Sequence, residues 1–183
     1  MKKRLIVLMG GQGVGKGSLA KRLVEKYGFM HVESGAILRS MPPESEIYKI
    51  ITSGNLVPDN MLFDIITPRL NHNKDIILDG FPRKLSQAQW LVENYADKFK
   101  FQVLYLYADK DLLIKRINKR ATEENRTDDM SMDVINKRLE NFFNVTMQAI
   151  DWLRSVRGVH FAEVDASGDK EQNLQDAVHV LGL

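Results

Sequence analysis

The chain has 183 residues, enough for one domain with a real core, and its 44% hydrophobic and 27% charged residues fit a soluble globular protein. A net charge of +2 is too small to imply a polyanion-binding surface, and the lack of cysteine excludes disulfides and thiolate metal sites and favours a reducing compartment. The opening MKKRLIVLMGG imitates a signal peptide, but its apolar run is only Leu5–Met9, and no other stretch is long enough to span a bilayer; the sequence predicts a cytoplasmic protein.

In chain order, Leu5–Met9 predicts a buried strand, broken by glycines at 10, 11, 13, 15 and 17 before helical periodicity takes over from Ser18 to Tyr27. A second strand is predicted over Phe29–Val32. The polar stretch SMPPESEIY (40–48) shows no core pattern and suits a mobile excursion. Met61–Leu70 reads as a helix, Ile76–Leu78 as a strand, Lys84–Tyr95 as a helix, Val103–Tyr107 as a strand and Lys110–Arg120 as a helix. After a second polar excursion, RATEENRTDDMS (120–131), a long helix is predicted from about Ser131 to Val156. Its apolar stripe is Ile135, Leu139, Phe142, Phe143, Thr146, Ile150 and Leu153, at spacings of three and four. Val159–Val164 predicts the fifth strand and Glu171–Leu181 a closing helix. Strands alternating with helices predict an α/β fold with a mostly parallel sheet and right-handed crossovers.

A buried strand, then glycines, then a helix is an arrangement that binds phosphate. The glycines turn successive backbone N–H groups inward and the helix adds its positive end. Gly13, Gly15, Lys16, Gly17 and Ser18 supply this, with Lys16 placed to reach outer phosphates and Ser18 to hold Mg²⁺. The strict pattern has Ser or Thr directly after the lysine, where this chain has Gly17. In DIILDGFPR (75–83), Asp79 follows a predicted strand, where a parallel sheet opens onto its ligand crevice and a carboxylate can orient Mg²⁺ through water. Arg83 follows the same turn. Further arginines accumulate at 39, 116, 120, 126 and 138, and Arg116 and Arg120 share a helix face. Phosphoryl transfer spreads negative charge over equatorial oxygens, so a convergent set of cations suits it. The four histidines form no triad or metal spacing.

These residues resemble the adenylate kinase branch of the nucleoside monophosphate kinases. GGQGVGKGS resembles that family's phosphate loop, which itself has glycine between lysine and Ser/Thr, so Gly17 ceases to be a defect. ESGAILR (33–39) is similar to its acceptor segment, GNLVPD (54–59) to the end of its acceptor-binding excursion, and DGFPR (79–83) to its most telling string. RTDD (126–129), KRL (137–139) and VDASG (164–168) complete a match over nearly the whole chain. The resemblance implies a P-loop NTPase-like three-layer α/β/α fold with a five-stranded parallel sheet. It also implies a single domain, 1–183, with a monophosphate-binding excursion at about 33–57 and a short lid at about 119–129.

It further implies that Gly13, Val14, Gly15, Lys16, Gly17 and Ser18 wrap the ATP phosphates, that Arg116 and Arg120 meet ATP, and that Gly168 sits by the adenine. Ser34, Arg39, Asn55, Leu56, Val57, Gly80, Phe81, Pro82, Arg83 and Gln87 are implied to hold the acceptor. Arg126 and Arg138 are implied to close over the transferring group, with Asp128 and Asp129 steadying the lid; Lys16, Arg83, Arg116, Arg126 and Arg138 form the catalytic set and Ser18 and Asp79 serve Mg²⁺. The chain departs from the family at several points: Gln12 stands for a usual proline, Ala36 for an aspartate supporting the metal's water shell, and Glu33 for a small residue. The excursion from Ser34 to Val57 is shorter than usual, Met130 is an extra residue, and the lid between Arg120 and Arg126 carries no zinc-binding cysteines.

The expected reaction is Mg²⁺-dependent transfer of the ATP γ-phosphate to a nucleoside monophosphate, AMP in the first place, giving two ADP, by a monomer needing no zinc. Gln87 and Ser34 favour AMP over the alternatives UMP, CMP or a deoxynucleotide. A nucleotide-binding regulator without turnover is the reading from another class, and Lys16, Asp79 and the arginines argue against it. A nucleic-acid module built on KRINKR (115–120) is disfavoured by the acidic neighbours, and no membrane or nucleic-acid partner is expected.

Overall fold

The computed structural model describes residues 1–71, 73–124 and 131–183. Strand β1 (Arg4–Met9) occupies the centre of a five-stranded sheet, flanked by β3 (Ile76–Asp79) and then β2 (Met30–Glu33) on one side, and by β4 (Lys100–Tyr107) and β5 (His160–Asp165) on the other. Every pairing is parallel. Such a sheet is covered on both faces, which is why β1 reads as an unbroken apolar run rather than an alternation. Leu5, Val7 and Met9 join one buried cluster while Ile6 and Leu8 join the other, and each is at most 2% exposed.

The first cluster takes its helical side chains from α2 (Ser34–Arg39), α4 (Asp59–Ile66), α5 (Leu85–Tyr95) and α8 (Met147–Ser155). The opposite cluster takes them from α1 (Lys16–Tyr27), α6 (Lys110–Glu124), α7 (Met132–Asn141) and α9 (Lys170–Leu181). This is the three-layer arrangement expected from the sequence. The helix after β1 lies on one face and the helix after β3 on the other, so the connections part and a crevice opens between the carboxyl ends of these adjacent strands.

The predicted strands all form, with ends shifted by one to three residues. Two helices went unassigned from sequence: α2, inside ESGAILR, and α3 (Glu46–Thr52), inside the excursion. Helix α3 buries none of its residues fully, packing only partly buried Ile47, Ile50 and Ile51 against the first cluster; the Ser45 hydroxyl caps it by accepting from the Tyr48 N–H at 3.2 Å. The predicted Met61–Leu70 helix starts earlier, at Asp59, and ends at Ile66, giving way to a 3-10 turn over Thr67–Arg69 that contains Pro68. The long final helix is not uniform. Between α7 and α8 lies a π-helical segment, Phe142–Thr146. There the buried side chains pass from one layer to the other: Ile135 and Leu139 belong to the cluster beneath α1 and α9, whereas Phe142, Ile150 and Leu153 belong to the opposite one. Phe143, expected in the stripe, is 42% exposed. The widened turn rotates the helix face, and a fixed period of 3.6 cannot anticipate it.

Candidate active site

The crevice between the ends of β1 and β3 is a cleft of about 850 Å³, within the range of sites that enclose small molecules. The glycine loop forms its floor. Gly13 has φ +85°, and a Cβ there would lie 2.7 Å from the Leu113 carbonyl oxygen and 2.8 Å from Ile117 Cγ1, so the loop is pressed directly against α6. Arg116, on the same helix, donates to the Val14 carbonyl at 3.2 Å and to the Gly168 carbonyl at 3.4 Å. One guanidinium thereby ties the phosphate loop to the turn after β5.

Lys16 opens α1 and folds back over the loop, its Nζ donating to the carbonyls of Gly10 at 2.9 Å and Gly11 at 3.2 Å. The residue is partly exposed, but its ammonium is turned inward. That burial lowers the Lys16 pKa to about 8; Asp79 and Glu33 oppose the shift, and Arg83 and Arg120 add to it. An incoming polyphosphate would replace two neutral carbonyls with full negative charge. Asp79, the last residue of β3 rather than the first after it, is 4% exposed, and its Oδ2 lies 3.6 Å from His31 Nε2. The carboxylate raises the His31 pKa above the ordinary imidazole range, against the effect of burial. Sequence reasoning gave His31 no role, because only the pairing of β2 with β3 brings it to Asp79.

On the other side of the crevice, the Arg83 Nε donates to the Gly80 carbonyl at 2.9 Å, and its backbone is held from two directions. The Arg83 N–H donates to Gln87 Oε1 at 2.7 Å and the Arg83 carbonyl accepts from Thr146 Oγ1 at 2.9 Å. Thr146 lies in the π-helical segment, a contact no sequence spacing could reveal. Although Arg83 as a whole is exposed, desolvation by the cleft walls lowers its pKa, the neighbouring cations Arg138 and Arg39 lower it further, and Asp79 and Glu33 partly offset them. Gln87 is fully buried, and its Nε2 donates to Asp59 Oδ1 at 2.9 Å. Burial alone would raise the Asp59 pKa, but hydrogen bonds from Ser86, Gln87 and Lys84 outweigh it and hold the carboxyl below its ordinary range. The excursion is moored to α7, where Arg138 Nη2 donates to the Ile51 carbonyl at 3.2 Å and Asn141 Nδ2 to the Gly54 carbonyl at 2.9 Å.

The structure brings nearly all the described residues expected from sequence into this one cleft. Gly13 to Ser18, Arg116, Arg120 and Gly168 line one end; Ser34, Arg39, Asn55, Leu56, Val57, Gly80, Pro82, Arg83, Gln87 and Arg138 line the other, and Asp79 lies between. Phe81 does not join them. Its side chain is wholly buried, edge-on to Phe63 and Trp90, so its part is to hold the DGFPR turn onto the core. Arg126, Asp128, Asp129 and Met130 lie outside the described residues. Several residues without an expected role, Glu33 and Asn141 among them, also line the cleft.

A glycine-loop floor at a helix N-terminus, a carboxylate and a convergent set of cations form a cleft suited to phosphorylated groups. The adenylate kinase family model matches residues 8–157. The chain is 37% identical to an adenylate kinase of Maricaulis maris, over 79% of this chain and 82% of that protein. It is 35% identical to one of Bacteroides thetaiotaomicron, over 82% and 84% respectively. With adenylate kinase isoenzyme 1 of Gallus gallus it shares 30% identity over 97% of this chain and 94% of that one. The matched span includes the carboxyl end of β1, all of β3, the glycine loop and the arginine turn, and the chain belongs to the adenylate kinase family.

Proposed function

We infer that the protein is an adenylate kinase, a phosphotransferase that moves the γ-phosphoryl group of ATP reversibly onto AMP to give two ADP. The observation that carries this reading is the meeting, in one cleft, of the glycine loop after β1 and the arginine-bearing turn after β3. In the transfer, the bond between the γ-phosphorus and its bridging oxygen breaks as a phosphate oxygen of AMP bonds to that phosphorus. The AMP oxygen is already ionised, so no general base is required; positioning and charge stabilisation are what the protein contributes.

The backbone of Gly13 to Ser18 is proposed to hold the ATP phosphates and Lys16 to neutralise the outer ones. Arg39 and Arg83 would receive the acceptor phosphate, Arg116 and Arg120 would meet ATP, and Arg138, with Arg126 of the lid, would close over the transferring group. Gly168 would sit beside the ATP adenine. Gln87 would read the acceptor base. Its oxygen and nitrogen each hold one partner inside the protein, and a primary amide retains one more acceptor and one more donor position. Ser18 and Asp79 fit Mg²⁺, since a hydroxyl and a carboxylate are hard oxygen donors and this ion keeps several waters of its own. When bound, Mg²⁺ supplies charge neutralisation between the phosphates. The excursion at about 33–57 and the lid at about 119–129 would close to exclude water and prevent hydrolysis. A monomer and a cytoplasmic location complete the reading, the latter favoured by the absence of cysteine.

The test is an acceptor panel. With ATP and Mg²⁺, AMP is expected to give the highest kcat/KM among AMP, CMP, UMP and the deoxynucleotides. A preference for UMP or CMP would overturn the acceptor assignment, and no ADP formation with any monophosphate would overturn the activity.

A further inference from the structure

Glu33 ends β2, at the register position opposite Asp79. Its Oε1 lies 3.1 Å from Arg39 Nη2, and the two side chains are 30% and 28% exposed in the cleft. Gly35 makes the contact possible. A Cβ there would stand 2.9 Å from Arg39 Nη1, so the guanidinium lies back across the glycine instead of projecting from α2. The Glu33 charge also acts on Arg83 and Lys16. An acidic side chain thus sits among the cations that an acceptor phosphate would require.

Resting on the acceptor-site reading above, we propose that Glu33 sets acceptor affinity: it is an internal anion that occupies Arg39 until the phosphate of the monophosphate displaces it. In the unliganded cleft the carboxylate offsets repulsion among Arg39, Arg83 and Arg138 and keeps them gathered. When a phosphate dianion arrives, the Arg39 pair is broken and the carboxylate faces like charge. Both effects raise the free energy of binding relative to a neutral residue in that place. The result is a site organised in advance whose ligand leaves readily, in either direction of the reaction.

The experiment is equilibrium titration calorimetry without ATP, using AMP and adenosine as probes on the wild type, Glu33→Gln, Glu33→Asp, Arg39→Ala and the Glu33→Gln/Arg39→Ala double variant. Removing one partner of a partly exposed pair and one like charge should tighten AMP by about three- to tenfold in Glu33→Gln. Glu33→Asp, which keeps the charge but withdraws it from Arg39, should give a smaller gain. Adenosine affinity should not move, because Glu33 acts only on the phosphate, and in the Arg39→Ala background the part of the gain that comes from breaking the pair should be lost, leaving only the relief of like charge. Unchanged or weakened AMP binding in Glu33→Gln, or an equal gain for adenosine, overturns the proposal. If Arg39→Ala binds AMP as tightly as the wild type, the acceptor assignment fails and this proposal with it. If Arg39→Ala weakens AMP but Glu33→Gln does not tighten it, the role of Glu33 alone is lost.

Discussion

Lys16 concentrates the chemistry of the donor site in one side chain. A group whose partners in the free cleft are two carbonyls, and whose proposed partners with ATP are phosphate oxygens, should show the change in the pH dependence of binding. Below about pH 8 the ammonium is charged in free and bound protein alike, and this group contributes no pH dependence. Above about pH 8 the free protein has lost the proton that the phosphates require, so ATP affinity should fall as pH rises, approaching tenfold per unit. Titrating ATP between pH 7 and 9.5 checks this, and the slope should disappear in Lys16→Ala. The same lowered pKa acts on folding in the opposite sense. Between about 8 and the ordinary lysine value of 10.5 the unfolded chain binds more protons at this site, so the cost of burying the ammonium is relieved as pH rises. Lys16→Ala should therefore leave the fold intact while reducing turnover by about 10²–10³-fold, the usual magnitude for losing one preorganised charge-stabilising donor. Gln87 behaves differently, because it joins Arg83 to Asp59 from a fully buried position. Gln87→Ala should cost about 1–3 kcal/mol of stability in urea denaturation as well as raising the KM for AMP. A loss of AMP affinity with unchanged stability would show that the bridge is dispensable.

At the scale of elements, the phosphate loop and α6 form a single unit, and two glycines separate its structural requirement from its functional one. Gly13→Ala would drive a Cβ into the α6 backbone at Leu113 and should lower both the melting temperature and ATP affinity. Gly17 has nothing within 4 Å of the corresponding position and lies in the first turn of α1, where alanine is the better helix former by up to about 1 kcal/mol. Gly17→Ala should keep or raise the melting temperature yet weaken ATP, if phosphate rests against that backbone; unchanged ATP affinity would move the phosphates elsewhere. Differential scanning fluorimetry with and without ATP reads both outcomes. The loop was legible in sequence because its strand, glycines and lysine are contiguous, as are Asp79 and Arg83 at the next strand end. The strands were legible because each is a short apolar run. What escaped were relations between segments. Thr146 reaches Arg83 from a π turn, His31 reaches Asp79 across a strand pair, and Asn141 holds the excursion through Gly54. None of these has a fixed spacing. Helix α3 escaped for another reason: it spans only seven residues, and its core-facing Ile47, Ile50 and Ile51 are too few to impose a clear period.

Across the whole molecule, the parallel sheet presents its two middle strand ends to one cleft, and both nucleotides must share it. Asp79 stands between a phosphate loop on one side and Arg39, Arg83 and Arg138 on the other, so the two phosphate chains would point at each other across the end of β3. A compound carrying an adenosine at each end of a single polyphosphate bridge should then occupy both halves at once. Its second contact forms within the molecule, at an effective concentration far above that of a separate ligand. Stabilisation follows RT ln(1 + [L]/Kd), so at equal concentration this compound should raise the melting temperature by more than ATP or AMP alone. The gain should shrink in Lys16→Ala, which weakens the donor half, and in Arg39→Ala, which weakens the acceptor half. If the bridged compound stabilises no better than ATP, and Arg39→Ala does not alter its effect, the two halves do not lie on one line. The transfer geometry drawn across Asp79 would then be wrong, even with both nucleotides bound.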